Sequence, residues 1–207
     1  MKRVHAVVVT YNRKVLLQEC IEAILKQSVS VEKLILIDNN STDGTPEFLR
    51  ENGYMSNPVI EYIKLDKNIG GAGGFHEGMK KAREYQPDWV WIMDDDTVPT
   101  ETCLEELLNA SEQIKGKVSF LASAVRGMNN EAMNVPKIAR NQFSKYTDWY
   151  EYLDKSMAKI VKATFVSLLI NIEAINQCGL PWKEFFLWGD DSEYTQRIIR
   201  DYGSAYM

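Results

Sequence analysis

Asp94, Asp95 and Asp96 place three carboxylates directly behind the apolar run Trp89–Met93. Unit charges ~4 Å apart repel by ~4 kcal/mol at an effective dielectric of 20. Left alone, at least one of the three is pushed towards its protonated form. A hard divalent cation relieves the crowding. Carboxylate oxygens suit Mg2+ or Mn2+, which commonly takes one or two of them and completes its shell with substrate phosphates. On an extended segment residues i and i+2 point the same way, so Asp94 and Asp96 are the expected metal-ligating pair. The plainer reading is a solvated acidic turn before a helix capped near Thr100. A second acidic group, Asp190, Asp191 and Glu193, opens the last expected helix. The helix dipole favours acids there in any protein, whereas the chemical reading makes one of them a general base over a hydroxyl nucleophile. Trp182, Phe185, Phe186 and Trp188 precede this group and could line an acceptor groove, the plainer reading being that most of them are core.

These residues need a frame that brings them together. Strand-like runs at Val4–Thr10, Lys33–Asp38, Val59–Leu65 and Trp89–Met93 alternate with helix-like stretches at Lys14–Gln27, Thr45–Asn52, Phe75–Tyr85 and Thr100–Ile114. The first helix shows Val15, Leu16, Cys20, Ile21, Ile24 and Leu25 as an apolar stripe. Such alternation predicts an α/β fold, with crossover connections and a mostly parallel central sheet covered by helices on both faces. Another strand, Val118–Val125, follows. Residues 126–145 read as a long loop, then an aromatic helix (Tyr146–Ile160), a strand (Ala163–Ile170) and a short helix ending at Gly179. The expectation is one domain over 1–207, with a regular half (1–115) and a less regular half (116–207).

Ligands of open α/β sheets bind outside the carboxyl ends of the strands. Here those ends carry Thr10-Tyr11-Asn12-Arg13, Asp38-Asn39-Asn40-Ser41, Asp66-Lys67-Asn68 with the glycine run Gly70–Phe75, and the aspartate triplet. Parallel strands would gather all four on one rim. The glycines could admit a diphosphate to the backbone, with amides of the helix from Phe75 as donors, or could simply make a tight turn. His76 stands where a dinucleotide fingerprint needs its last glycine, and no P-loop motif occurs. His5 and His76 lack partners at metal-ligand spacing and read as structural.

Composition sets the outer limits. The chain has 207 residues, 45% of them hydrophobic, and a formal charge of −5. An acidic chain with no Arg/Lys cluster argues against nucleic-acid binding. Cys20, Cys103 and Cys178 form no CxxC pair, which suits unpaired, buried thiols in a reducing cytoplasm. No signal peptide or membrane-spanning run is apparent.

The segments VVVTYNR, LILIDNNSTDGT, NIGGAGGF, WIMDDD and FFLWGDDSEY together resemble the family-two glycosyltransferases of the GT-A fold, from residue 4 to about residue 203. The pairing of GGAGGF with WGDDSEY is most similar to the bacterial galactofuranosyl- and rhamnosyltransferase branch, enzymes of cell-surface polysaccharide synthesis. The resemblance implies a UDP- or dTDP-sugar donor, Mn2+ or Mg2+ as cofactor, and a glycan or lipid-linked acceptor. Residues 1–115 would then bind the nucleotide-sugar and 116–207 the acceptor. It implies that Thr10, Tyr11, Arg13 and Asn40 border the nucleotide, that Asp38 accepts from the pyrimidine N3–H, and that Asn68 and Gly71 lie along the nucleotide-sugar. Asp94 and Asp96 form the DxD, with Asp94 towards ribose or metal, Asp96 on the metal and Asp95 beside the donor. Asp191 matches the catalytic base of an inverting displacement, and Asp190, Glu193 and Trp188 shape the acceptor site. Family members usually supply a histidine metal ligand shortly beyond the DYG segment; here the sequence stops at Met207, which reads as a C-terminally shortened chain that binds donor weakly and turns over poorly. A cytoplasmic location, with peripheral contact at the inner membrane face left open, goes with the resemblance. Two other readings remain. One is a haloacid-dehalogenase-like phosphatase with Asp94 as nucleophile and Asp96 as acid. The other is a non-catalytic sugar-nucleotide-binding module.

Overall fold

The computed structural model describes residues 2–140 and 149–207. Its N-terminal half runs β1 (Val4–Thr10), α1 (Lys14–Leu25), β2 (Lys33–Asp38), α2 (Thr45–Glu51), β3 (Ile60–Lys64), α3 (Gly70–Glu84), β4 (Trp89–Asp94), α4 (Cys103–Gln113) and β5 (Val118–Ala122). Then come the short strands β6 (Val125–Arg126), β7 (Ala132–Met133) and β8 (Lys137–Ile138), followed by β9 (Lys159–Lys162), β10 (Leu168–Asn171), α5 (Ile172–Cys178), α6 (Asp190–Asp201) and β11 (Ser204–Tyr206). Nine strands form the main sheet in the order β3-β2-β1-β4-β10-β5-β11-β9-β8, and β6 pairs with β7 apart from it. Only β10 and β9 run against the other strands of the main sheet, so it is mostly parallel as expected.

Strand β1 is buried at every position because β2 and β4 flank it and helices cover both its faces. Alternate side chains serve opposite layers. Val4, Ala6 and Val8 join Leu17, Cys20, Ile21 and Ile24 of α1 and Leu104 and Leu107 of α4. Val7 and Val9 join Phe75, Met79 and Ala82 of α3, with Ile175 of α5 and Tyr194 and Ile198 of α6. The buried stripe of α1 is thus Leu17, Cys20, Ile21 and Ile24, while Val15 and Leu16 are exposed, against the expected stripe.

Three expectations fail locally. Helix α3 begins at Gly70, not Phe75, so the glycine run is its first turn. Two of those glycines are there for close approach: a Cβ on Gly70 (φ +76°) would lie 2.0 Å from the Phe186 carbonyl oxygen, and one on Gly74 would lie 2.4 Å from Val9 Cγ1. The aromatic helix at 146–160 is absent over its described part. Its place is taken by a 3-10 turn at Leu153–Lys155 and by β9, which pairs with β11 through Ile160 opposite Ala205. Tyr152 packs edge-on to Tyr206 at 5.4 Å and accepts a bond from the Lys115 amide. Tertiary pairing has overridden local propensity. The strand expected from Ala163 starts only at Leu168, after Ser167 turns left-handed (φ 55°) and receives the Trp91 indole N–H at 3.0 Å. Residues 141–148, part of the expected loop and helix, lie outside the described residues. Of the three thiols, all unpaired, only Cys20 is fully buried.

Candidate functional site

The parallel register aligns the strand ends. Thr10 stands opposite Asp38, and Val9 opposite Asp94, so the polar ends of β1, β2 and β4 lie side by side. Side chains then knit the loops together. The Asn12 amide donates to Ser41 Oγ at 2.9 Å, and Asn12 Oδ1 accepts the Thr42 amide at 2.7 Å. Asn39 Nδ2 donates to the Gly70 carbonyl at 2.9 Å and Asn39 Oδ1 accepts the Ile69 amide at 3.3 Å, fixing the start of α3 against β2. Asn12 and Asn40 both adopt positive φ (55° and 65°), the conformation asparagine tolerates best after glycine. Sequence reasoning assigned no role to Asn12, Asn39 or Ser41, though an asparagine at a strand-to-loop junction is a known signal for such turns.

The aspartate triplet is not extended. After Asp94 ends β4, the Thr97 amide donates to the Asp94 carbonyl at 3.2 Å and closes a turn. The i, i+2 argument therefore stops applying at Asp94, and the three carboxylates occupy distinct environments. Asp95 is buried: Thr10 Oγ1 donates to its Oδ2 at 2.6 Å, tying β4 to β1. Asp96 is exposed and receives Arg13 Nη1 at 2.9 Å, while the same nitrogen reaches Asp95 Oδ1 at 3.5 Å. Asp94 is partly buried, and burial together with Asp96 and Asp95 raises its carboxyl to about 7. Asp190 adds to that rise, which places the second acidic cluster within electrostatic reach of the first. Burial also raises Asp95, opposed by the Thr10 bond and Arg13, and raises Asp190, whose neighbour Asp191 adds to the shift.

Asp38 is fully buried. Tyr62 donates to its Oδ2 at 2.6 Å and the Ser41 amide to its Oδ1 at 2.7 Å. It sits on the rim as expected, but its carboxylate is turned into the protein, where it shapes the loop. Tyr11 is exposed beside it. Asn68 Oδ1 accepts the Gly70 amide at 2.8 Å, and the Phe186 carbonyl accepts the Ala72 amide at 3.2 Å. Two of the first amides of α3 are thus already bonded, and a Cβ added to Gly71, between them, would meet Leu187 Cδ1 at an ordinary 3.9 Å.

The segment 180–189 bridges the starts of α3 and α6. Phe186 and Trp188 hold positive φ (60° and 69°), which is strained for bulky residues. His76 Nδ1 donates to the Pro181 carbonyl at 2.8 Å, a structural role as expected. Arg197 donates to the Leu180 carbonyl at 3.1 Å and to the Cys178 carbonyl, and stacks over Trp182 and Tyr194. Both Glu193 oxygens are held by this guanidinium, at 2.6 and 3.0 Å. Glu193 therefore anchors Arg197 in place of offering a free carboxylate to an acceptor. Arg197 itself gave no sequence signal beyond its i+4 spacing from Glu193. Asp191 is half-buried, its Oδ1 accepting the Ser192 amide at 2.5 Å, and Trp188 is 85% exposed. A cleft lined by Glu19, Glu22, Lys26, Val98 and Glu101 contains none of the expected site residues.

Residues 6–166 match the sequence profile described as Glycosyl transferase family 2. The chain belongs to glycosyl transferase family 2. Galactofuranosyltransferase GlfT1 of Mycolicibacterium smegmatis is 28% identical over 94% of this chain and 65% of its own length. The Mycobacterium tuberculosis GlfT1 is likewise 28% identical, over 95% of this chain and 64% of its own. The chain thus spans somewhat less than two thirds of the length of these relatives. Two solved structures share the GT-A fold over 99% of this family 2 chain: S. aureus TarS in complex with UDP (TM-score 0.73, 15% identity, 57% of that chain) and the Pyrobaculum calidifontis mannosyltransferase PcManGT in complex with GDP-Man and Mn2+ (TM-score 0.65, 21% identity, 54% of that chain).

The residues present fit a divalent cation in a limited sense. Among the described residues no three acidic, histidine or cysteine side chains converge to hold a metal unaided. Asp94 and Asp96 supply hard oxygen donors, and burial and neighbouring acids raise the Asp94 carboxyl to about 7, a shift that nearby positive charge would oppose. A cation here would draw its remaining ligands from a bound diphosphate and water, which is how Mg2+-type sites are commonly completed. Among the described residues no helix is long and apolar enough to cross a membrane.

Proposed function

We propose that this chain binds a nucleoside diphosphate sugar at the rim of β1, β2 and β4 with a divalent cation, and transfers the sugar with inversion to a hydroxyl of a cell-surface glycan or lipid-linked acceptor. The observation that carries the reading is the meeting of acids from both halves of the chain. Burial first, then Asp96 and Asp95 and to a lesser degree Asp190, push the Asp94 carboxyl at the end of β4 up to about 7, against the opposing pull of Arg13. Several acids crowded at a buried rim with one arginine, Arg13, set against them form the kind of perturbed cluster that marks a functional site.

Roles follow from placement. Thr10, Tyr11, Arg13 and Asn40 lie on the first two loops and border the nucleotide. Asp38, locked by Tyr62 and Ser41, acts on the base through the loop it shapes; direct contact with a pyrimidine N3–H would require its fully buried carboxylate to be uncovered. Asn68 and Gly71 at the start of α3 flank the donor. Asp94 and Asp96 would hold Mn2+ or Mg2+, and that cation supplies Lewis-acid neutralisation of charge on the leaving diphosphate. Asp191 takes the proton from the acceptor hydroxyl as its oxygen attacks the anomeric carbon opposite the diphosphate. Asp190 and Trp188 shape the acceptor side, and Glu193 contributes through Arg197 and the 180–189 segment. Likeness to the GlfT1 galactofuranosyltransferases favours a galactofuranosyl donor on a UDP or dTDP carrier. The phosphatase reading gives way to the family assignment, and it left the polar ends of β1 and β2 without a purpose.

A thermal-shift series tests the donor site. UDP with Mn2+ raises the melting point of the wild-type chain, EDTA removes the rise, and Asp96→Ala abolishes it. An equal rise in EDTA, or in Asp96→Ala, would show that the acids do not hold a cation for the nucleotide.

A further inference from the structure

We propose that Arg13 is a built-in counter-ion of the aspartate turn, competing with the divalent cation for Asp96 and released to the donor diphosphate once the cation binds. The inference rests on the metal reading above and adds an order of events to it. Arg13 Nη1 lies 2.9 Å from Asp96 Oδ2 and 3.5 Å from Asp95 Oδ1, so one nitrogen bridges two of the three carboxylates. A dication on Asp96 would face that guanidinium at close range, and like charges in one site repel. The two occupants are therefore alternatives.

Mobility is distributed to suit the exchange. Asp95 is fixed by Thr10 and buried, whereas the Arg13 side chain is 53% exposed and Asp96 48% exposed. Arg13 is also the N-cap residue of α1 (φ −137°), held in the fold by its backbone carbonyl, which accepts the Leu17 amide at 3.0 Å. Its guanidinium can swing without disturbing the helix. Freed from Asp96, the planar fork is matched to two phosphate oxygens at once, which a compact ammonium is not. Such an exchange makes cation and donor bind in sequence. The metal first breaks the internal pair, then the arginine closes on the diphosphate.

Calorimetric titration of the purified chain with MnCl2 alone, then with UDP in saturating Mn2+, tests the exchange in wild type, Arg13→Gln and Arg13→Lys. Removing an exposed ion-pair competitor should tighten Mn2+ binding roughly two- to five-fold in Arg13→Gln. Loss of the phosphate fork should weaken UDP roughly ten-fold in the same variant. Arg13→Lys, which keeps the charge without the fork, should hold Mn2+ near wild type and still weaken UDP. Unchanged Mn2+ affinity in Arg13→Gln overturns the counter-ion role while leaving the metal reading intact. Weaker Mn2+ binding overturns it too, because the arginine would then be helping to build the site. Mn2+ binding only when UDP is present overturns the metal-first order, and no Mn2+ binding by any of the three proteins, with UDP or without it, overturns both this inference and the metal reading.

Discussion

Replacing Asp94 by Asn should stabilise the cation-free chain, an unusual outcome for a substitution at a candidate metal ligand. Burial and the neighbouring acids raise the Asp94 carboxyl from 3.8 to about 7. A carboxyl raised on folding favours the native state fully below its unfolded value, and that contribution is lost as pH rises through the folded value. The full difference corresponds to about 4 kcal/mol of destabilisation near pH 8, at 1.36 kcal/mol per pKa unit, and about 2–4 kcal/mol is the practical range for a partly buried group. Asparagine keeps the shape of the neutral acid and removes the charge. Guanidinium unfolding in EDTA should therefore show Asp94→Asn more stable by about 2–4 kcal/mol near pH 8, the gap narrowing to about 1 kcal/mol near pH 4.5. Adding Mn2+ with UDP should reverse the order, because only the wild type can use the charge. Equal stability of the two proteins near pH 8, or a gap that does not change with pH, would refute the electrostatic account of this rim.

Further outcomes follow from other positions. Gly74→Ala sets a Cβ 2.4 Å from Val9 Cγ1, a stiff branched side chain in the core, so α3 must lift from β1 at about 1–3 kcal/mol, measurable by denaturant unfolding. Asp191→Asn should leave the UDP and Mn2+ thermal shift unchanged while lowering sugar transfer about 10²–10⁴-fold; unaltered turnover would move the base role to Asp190. His5 is fully buried with Nδ1 unpartnered among the described residues, and burial lowers its pKa from 6.5. Its neutral form contributes stability above pH 6.5 that is lost as pH falls through the folded value, so His5→Leu should flatten the acid-side loss of stability seen by thermal melting.

The regular half of the fold was legible because each of its elements carries a local signal. Val4–Thr10 and Lys33–Asp38 are apolar β-branched runs with polar ends, and the structure returns both with the same bounds. The rim followed from parallel direction alone. What escaped were features decided by distant partners. Gly70 and Gly74 read as a loop admitting a diphosphate or as a tight turn, yet their lack of side chains serves contact with Phe186 and Val9. The aromatic run near Tyr152 looked helical by composition but became a strand approach because β11 pairs there. Asp95 and Asp38 looked like free ligands, but Thr10 and Tyr62 claim their carboxylates. A sequence displays charge and spacing. Which oxygen faces outward is set by neighbours far along the chain.

The most direct measurement is a crystal structure of the chain grown with UDP and Mn2+, with diffraction recorded at the manganese absorption edge. The account predicts one anomalous peak bridging Asp96, with Asp94 beside it, and the diphosphate, and Arg13 turned from Asp96 towards phosphate. UDP bound on this rim with no peak at the aspartates, or a peak held by other residues, would contradict it.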